Sequence, residues 1–155
     1  MASRILTSEW RVPGTVEEVV DVLGDAEALT DWWGDVYLSV EILKDGDEKG
    51  VGRVVAFHSR GKLPHTLRWQ GEVISVQDDG WTIRASGDLE GQGVWTFAQE
   101  GDVAVARYVW TVDVERPWMR IMAPLLWPVF IANHKWAMAR GEEGLRRELV
   151  RRRSG

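Results

Sequence analysis

Residues 80–97 read Gly80-Trp81-Thr82-Ile83-Arg84-Ala85-Ser86-Gly87-Asp88-Leu89-Glu90-Gly91-Gln92-Gly93-Val94-Trp95-Thr96-Phe97. After a short connection, 98–102, the chain continues Val103-Ala104-Val105-Ala106-Arg107-Tyr108-Val109-Trp110-Thr111-Val112-Asp113-Val114. Trp81 and Ile83, then Trp95 and Phe97, then Tyr108, Trp110 and Val112 fall on one side of a period-two pattern. Thr82, Arg84, Ser86, Thr96, Arg107, Thr111 and Asp113 fall on the other. Alternation of this kind predicts antiparallel strands, here three joined by two tight turns, in a sheet with one dry face and one wet face. A dry face so rich in indole needs a cover. The space between cover and sheet is where a site is to be sought.

The chain has 155 residues, 45% of them hydrophobic and 28% charged, so a single globular domain over 1–155 is expected. Ten Trp against three Phe and two Tyr is the unusual feature. Trp joins a large apolar area to one N–H donor, which suits cores and pockets that also meet a polar group. There is no cysteine, which excludes disulfides, thiolate metal sites and a cysteine nucleophile and fits a cytoplasmic protein. No signal peptide is expected. The longest apolar run, 121–132, holds two prolines and is too short to span a bilayer, so stable membrane insertion is not expected. A net charge of −5 argues against nucleic acid as a partner. The basic end (Arg146, Arg147, Arg151, Arg152, Arg153) reads as the solvated C-terminus of a helix.

Working outward, 4–12 predicts a strand ended by Pro13-Gly14. Thr15-Val16-Glu17-Glu18 is a capping box, followed by a helical stripe of Val16, Val19, Val20 and Leu23 that Gly24 stops. Asp25 opens a second short helix to about Trp32. Strands are expected at 36–43 (Val36, Leu38, Val40 and Ile42 on one side), at 52–59 (Val54, Ala56 and His58 on one side) and at 66–76 (Leu67, Trp69, Gly71 and Val73 on one side). After the break at Glu115-Arg116-Pro117, a short helix over 118–126 is expected to be interrupted by Pro124 and Pro128. A long helix then runs over 128–150. Gly141 and Gly144 lower its propensity, which points to close approach to the sheet or to room left beneath it.

This order, with these residues, resembles the helix-grip fold of the START/Bet v 1-like superfamily, and within it the polyketide cyclase/dehydrase-like group. The marks are Val12-Pro13-Gly14-Thr15-Val16-Glu17-Glu18-Val19 with Trp32-Trp33, the central 85–93, and Asn133-His134 with Gly141, Gly144 and Leu145. The resemblance implies an α+β fold. A curved antiparallel sheet of about seven strands would wrap around a long C-terminal helix, with two short helices after the first strand and a cavity between helix and sheet. It also implies a hydrophobic small-molecule partner: a lipid, sterol, polyketide or hormone. Only some members are enzymes.

No nucleotide, hydrolase or metal motif occurs, and His58, His65 and His134 match no metal spacing, so neither a metal nor a cofactor is expected. The inward phase selects Trp69, Trp81, Ile83, Trp95, Phe97, Tyr108, Trp110, Trp136 and Ala137 as a ligand-binding surface, with Gly71, Ala85 and Gly87 leaving volume. His58 is expected to face inward, as a hydrogen-bonding or acid/base group or as a core histidine. Asn133, rather than its neighbour His134, is expected to face the sheet, fixing either a ligand or a strand. Arg140 could hold a ligand carboxylate or pair with Glu72 or Asp113. For a cyclase or dehydratase the acid/base and donor groups on offer are His58, Arg140 and Tyr108. The entrance is expected between 44–50, 60–65 and 118–127. The last of these, with Trp118, Met119, Met122, Leu125, Leu126 and Trp127, could gate the pocket, touch a membrane, form a homodimer contact or simply pack over the mouth. The readings left open are a carrier of an aromatic or polycyclic molecule, a cofactor-independent polyketide cyclase/dehydratase, and a module for a protein partner.

Overall fold

The computed structural model describes residues 3–62, 66–113 and 117–154. His65 and the rest of the expected entrance loop at 63–65, the sheet break at 114–116, and the side chains of Trp118 and Met119 lie outside the described residues. The order is β1 (Ser3–Pro13), α1 (Val16–Gly24), a single 3-10 turn (Ala26–Ala28), α2 (Leu29–Trp32), β2 (Tyr37–Lys44), β3 (Val54–Arg60), β4 (Thr66–Gln77), β5 (Gly80–Gly87), β6 (Gly91–Glu100), β7 (Val103–Asp113) and α3 (Pro117–Ser154). The strands form one antiparallel sheet in the order β1-β7-β6-β5-β4-β3-β2. The α+β helix-grip architecture expected from the sequence is therefore the one observed.

The local causes are legible. The Thr15 hydroxyl accepts from the Glu18 N–H at 3.1 Å while Glu18 accepts from the Thr15 N–H at 2.9 Å, closing the capping box of α1. Arg153, near the far end of the chain, clamps the same carboxylate at 2.8 Å and the Pro13 carbonyl at 2.9 Å. On the edge strand β1, the Arg11 N–H donates to Glu142 at 2.9 Å and the Arg11 carbonyl accepts from Arg146 at 2.7 Å, so α3 satisfies backbone groups that an edge would leave bare.

Three expectations are corrected. First, α3 is one helix of 38 residues that runs through Pro124 and Pro128 without a break. The two prolines are four apart and both exposed. The carbonyls their missing N–H groups leave free therefore lie on a wet face, and the cost is two ladder bonds rather than two buried orphans. At ~1.5 Å per residue the helix is about 57 Å long. Second, the inner face of β3 carries Val55, Phe57 and Ser59, because Phe57 opposes Trp69 and Val55 opposes Gly71. His58 thus points outward, opposite Arg68. Third, the register of β2 shifts between Tyr37 and Ser39, which leaves Leu38 as the extra residue, 41% exposed, and puts Tyr37 opposite Ser59 on the inner side.

The main core is built on indoles. Trp10 of β1 meets Trp33 at 5.2 Å, Trp95 at 5.1 Å and Trp32 at 6.4 Å between ring centroids. Val12, Val19, Val22, Leu145 and Leu149 complete it. The Trp33 N–H donates to the Ala137 carbonyl of α3 at 2.9 Å, which gives the indole the polar partner its burial requires.

Candidate functional site

The inner face of the sheet carries two apolar clusters. One is the closed core around Trp10, to which Trp95 and Phe97 belong and against which Trp81, Trp136 and Ala137 pack. The other is centred on Trp69, Ala85 and Trp110, with Leu6, Leu67, Leu89 and Val112 around them. Three of the described residues, Tyr37, Phe57 and Tyr108, pack against both. They form the boundary where the filled end of the molecule meets the end under the first half of α3. The expected binding surface is therefore divided: Trp95 and Phe97 lie within the main core, Trp69 and Trp110 lie at the other end, and Tyr108 stands between them. Ile83 sits half-buried on the inner face, opposite Gly93.

At this second end the rings form a continuous floor. Phe57 stacks on Trp69 at 4.4 Å, Tyr37 packs on Phe57 at 5.3 Å, and Tyr108 stacks in parallel with Trp110 at 6.5 Å. The Trp69 N–H donates to the buried Ser59 hydroxyl at 3.0 Å. Tyr108 lies across Gly93, where a side chain would collide with the phenol; glycine there lets the ring lie flat along the sheet.

The polar groups are few and neutral. Burial pushes the Tyr37 phenol above its ordinary value, and burial together with the nearby Tyr37 pushes Tyr108 up likewise. Both stay protonated, as donors. No hydrogen bond among the described residues uses either hydroxyl, although both residues are only half-buried. From α3, His134 reaches the sheet: its Nε2 lies 3.1 Å from the Ser8 hydroxyl and its ring lies over Tyr108 at 6.4 Å. Burial lowers its pKa to about 4, so the imidazole is neutral at physiological pH.

The remaining candidates are placed elsewhere. His58, on the outer face, sits 2.8 Å from the Thr66 hydroxyl. Asn133 and His134 exchange the orientations expected of them: the Asn133 carbonyl oxygen accepts from the Lys62 N–H at 2.6 Å and seats the loop after β3, while His134 faces β1. Arg140 is half-exposed and donates to Asp35 at 2.7 Å and Glu143 at 3.3 Å, pairing with neither Glu72 nor Asp113. His58, Arg140 and Tyr108 do not converge. Tyr37 is missed by the sequence reading because the bulge at Leu38 inverts the alternation that would have shown it. His134 is missed because it sits at the edge of the inward stripe that runs on through Met138, Gly141 and Leu145, where the choice between it and Asn133 is not set by spacing.

An open depression at the opposite end is lined by Pro13, Gly14, Thr15, Glu18, Gln99, Gly101, Asp102 and Arg153. Its main charged groups, Glu18 and Arg153, are committed to each other. No set of metal-holding side chains occurs among the described residues, and no helix there is long and apolar enough to cross a membrane.

A curved seven-stranded sheet gripping a long C-terminal helix is the helix-grip fold, and comparison with solved structures bears out that fold. A START superfamily protein from Mycobacterium smegmatis is similar with a TM-score of 0.76 and 12% identity over 95% of this chain and 97% of that one. The Zhui aromatase/cyclase from Streptomyces sp. R1128 gives 0.72 and 16%, over 97% and 96%. Norcoclaurine synthase from Thalictrum flavum, in complex with a transition-state analogue, gives 0.66 and 19%, over 98% and 97%. No family model matches the chain, and no curated protein is similar to it in sequence.

Proposed function

We propose that this chain binds a hydrophobic, aromatic or polycyclic small molecule between the sheet and the first half of α3, on the floor made by Trp69, Tyr108 and Trp110. One observation carries the reading: two half-buried phenols, Tyr37 and Tyr108, stand at the inner edge of an aromatic surface, and no hydrogen bond among the described residues uses their hydroxyls. Each hydroxyl is a free donor, and a hydrogen bond from it to a carbonyl or hydroxyl acceptor on a ligand is worth about 0.5–1.5 kcal/mol. A few polar groups in an apolar, aromatic surface is the usual make-up of a small-molecule site. In this reading the chain is one cytoplasmic domain that works without a cofactor, and neither nucleic acid nor membrane insertion enters its action.

Binding without turnover is the preferred form of the proposal. His58 is turned away, Arg140 is engaged with Asp35, and an imidazole held near 4 is a weak base. The solved structure of an aromatase/cyclase with this fold keeps a polyketide cyclase or dehydratase as the alternative. Its acid/base pair would then be His134 and Tyr108, which face each other.

Native mass spectrometry of the freshly purified protein, with denaturing extraction, tests the proposal. A lipophilic mass carried through purification, or uptake of an apolar fluorescent probe by the bare protein, is the expected result. A bare mass with no uptake contradicts it.

A further inference from the structure

Arg4 stands apart from the other arginines of β1 and α3 whose side chains the structure describes. Arg11, Arg140, Arg146, Arg147, Arg151, Arg152 and Arg153 each have a carboxylate within 4 Å. Arg4 is half-buried and among the described residues has none; the contact it does make there is with the ring of Trp127, 5.0 Å from the guanidinium carbon to the ring centroid. Its direction follows from the strand. Leu6, Ser8, Trp10 and Val12 of the same parity pack on the Trp69 cluster, reach His134, or enter the main core. Arg4 therefore lies on the inner face, opposite Val112, and reaches across to α3. The guanidinium stands two residues beyond Leu6 along the inner face, past the pair Leu6 and Trp110, and lies over the Trp127 ring.

Resting on the proposed binding reading, we propose that Arg4 is the anion-recognising residue of the site and that the ligand is an amphiphile. Its carboxylate or sulfonate meets Arg4 at the mouth, its aromatic body lies on Trp69 and Trp110, and a neutral acceptor reaches Tyr108. The register sets its length: Arg4 lies beside Val112 and Ser8 beside Tyr108, so the two polar ends are four residues apart along β1, about 14 Å at ~3.4 Å per residue. A guanidinium offers five fixed N–H donors, and the Trp127 ring occupies only its face, which leaves the edge to bind an anion in its own plane. A guanidinium with no carboxylate beside it among the described residues offers charge-assisted hydrogen bonds to an anionic ligand.

The test uses a matched pair of fluorescent probes: 8-anilinonaphthalene-1-sulfonate and the uncharged N-phenyl-1-naphthylamine, which share the same ring skeleton. The wild-type protein is expected to bind the sulfonate more tightly. Arg4→Gln is expected to weaken the sulfonate about tenfold or more, the scale of one charged hydrogen bond, and to leave the neutral probe within twofold. Arg4→Lys is expected to restore part of the sulfonate affinity, and circular dichroism of each variant reports whether the edge strand is intact. Equal weakening of both probes by Arg4→Gln would make Arg4 a packing residue and overturn the inference while the binding reading stands. So would indifference of the sulfonate to the substitution. Failure of the wild-type protein to bind either probe overturns both.

Discussion

Gly141 of α3 lies directly against the indole of Trp33. A β-carbon added there would stand 2.5 Å from Trp33 Cε2 and 2.6 Å from Trp10 Cζ2. One turn on, a β-carbon at Gly144 would run into the backbone carbonyl oxygen of Trp32. These two glycines let the helix descend onto the tryptophans of β1 and α2, and the helix pays for that contact in lost propensity. Alanine at 141 would gain about 1 kcal/mol of helix propensity and lose about 1–3 kcal/mol to overpacking against rigid rings. Gly141→Ala is expected to be destabilising, and Gly144→Ala more so, because a backbone carbonyl cannot turn aside. Gly24→Ala meets nothing within 4 Å and is expected to be neutral or to gain up to about 1 kcal/mol. Urea unfolding of the three variants gives this order directly.

Stability is expected to fall with acid in two separate windows. His134 has its folded pKa lowered by burial to about 4, from an ordinary value near 6.5. Its contribution is complete above the unfolded value and is lost as pH falls from about 6.5 to 4. Glu18 and Glu148 are held at about 2, chiefly by hydrogen bonds from Arg153 and from Arg151 respectively. Their contribution is present above the ordinary carboxylate value and is lost as pH falls through about 4 toward 2. Unfolding free energies measured across pH should show the upper slope flattened in His134→Gln and the lower slope flattened in Glu148→Gln. An unchanged profile in either variant would contradict that assignment.

The extent to which the sequence disclosed this molecule varied with the kind of pattern. In β6 and β7, Trp95, Phe97, Tyr108 and Trp110 fall on one phase and Val94, Thr96, Arg107, Val109 and Thr111 on the other, so only one phase buries the rings, and it is the observed one. In β3, Val54 and Ala56 compete with Val55 and Phe57. Both phases are apolar, and only the pairing of Phe57 with Trp69 across the sheet decides between them. That long-range partner is invisible to a local pattern, and it cost the placement of His58. Tyr37 was hidden by a bulge, which no alternation rule anticipates. The capping box at Thr15 and the close approach at Gly141 were legible because their causes are local or steric. The continuity of α3 through Pro124 and Pro128 was not, since it depends on which helix face meets water.

The two phenols should separate binding from folding. Tyr108→Phe and Tyr37→Phe remove unused hydroxyls and leave the rings. Thermal stability is expected to hold or rise slightly, while affinity for a carbonyl-bearing aromatic probe falls by up to about tenfold per donor. Isothermal titration alongside thermal unfolding checks both halves. A large loss of stability in either variant would show that the hydroxyl serves the fold instead.

His58 and Arg140 provide the converse. His58→Ala removes an outer-face contact to Thr66, and Arg140→Ala a half-exposed pair with Asp35. Each is expected to cost no more than about 1 kcal/mol of stability and to leave probe affinity within twofold. Weakened binding in His58→Ala with the fold intact would mean that the ligand lies against the outer face of the sheet.

The most direct test of a site on the second cluster is an indole N–H titration by two-dimensional NMR. The chain carries ten tryptophans, each a separate reporter once assigned by substitution. On addition of N-phenyl-1-naphthylamine, the signals of Trp69 and Trp110 are expected to shift in a saturable manner, while those of Trp10 and Trp32, inside the filled core, stay in place. Saturable shifts confined to Trp10 and Trp32, or no saturable shift at any indole, would contradict the account.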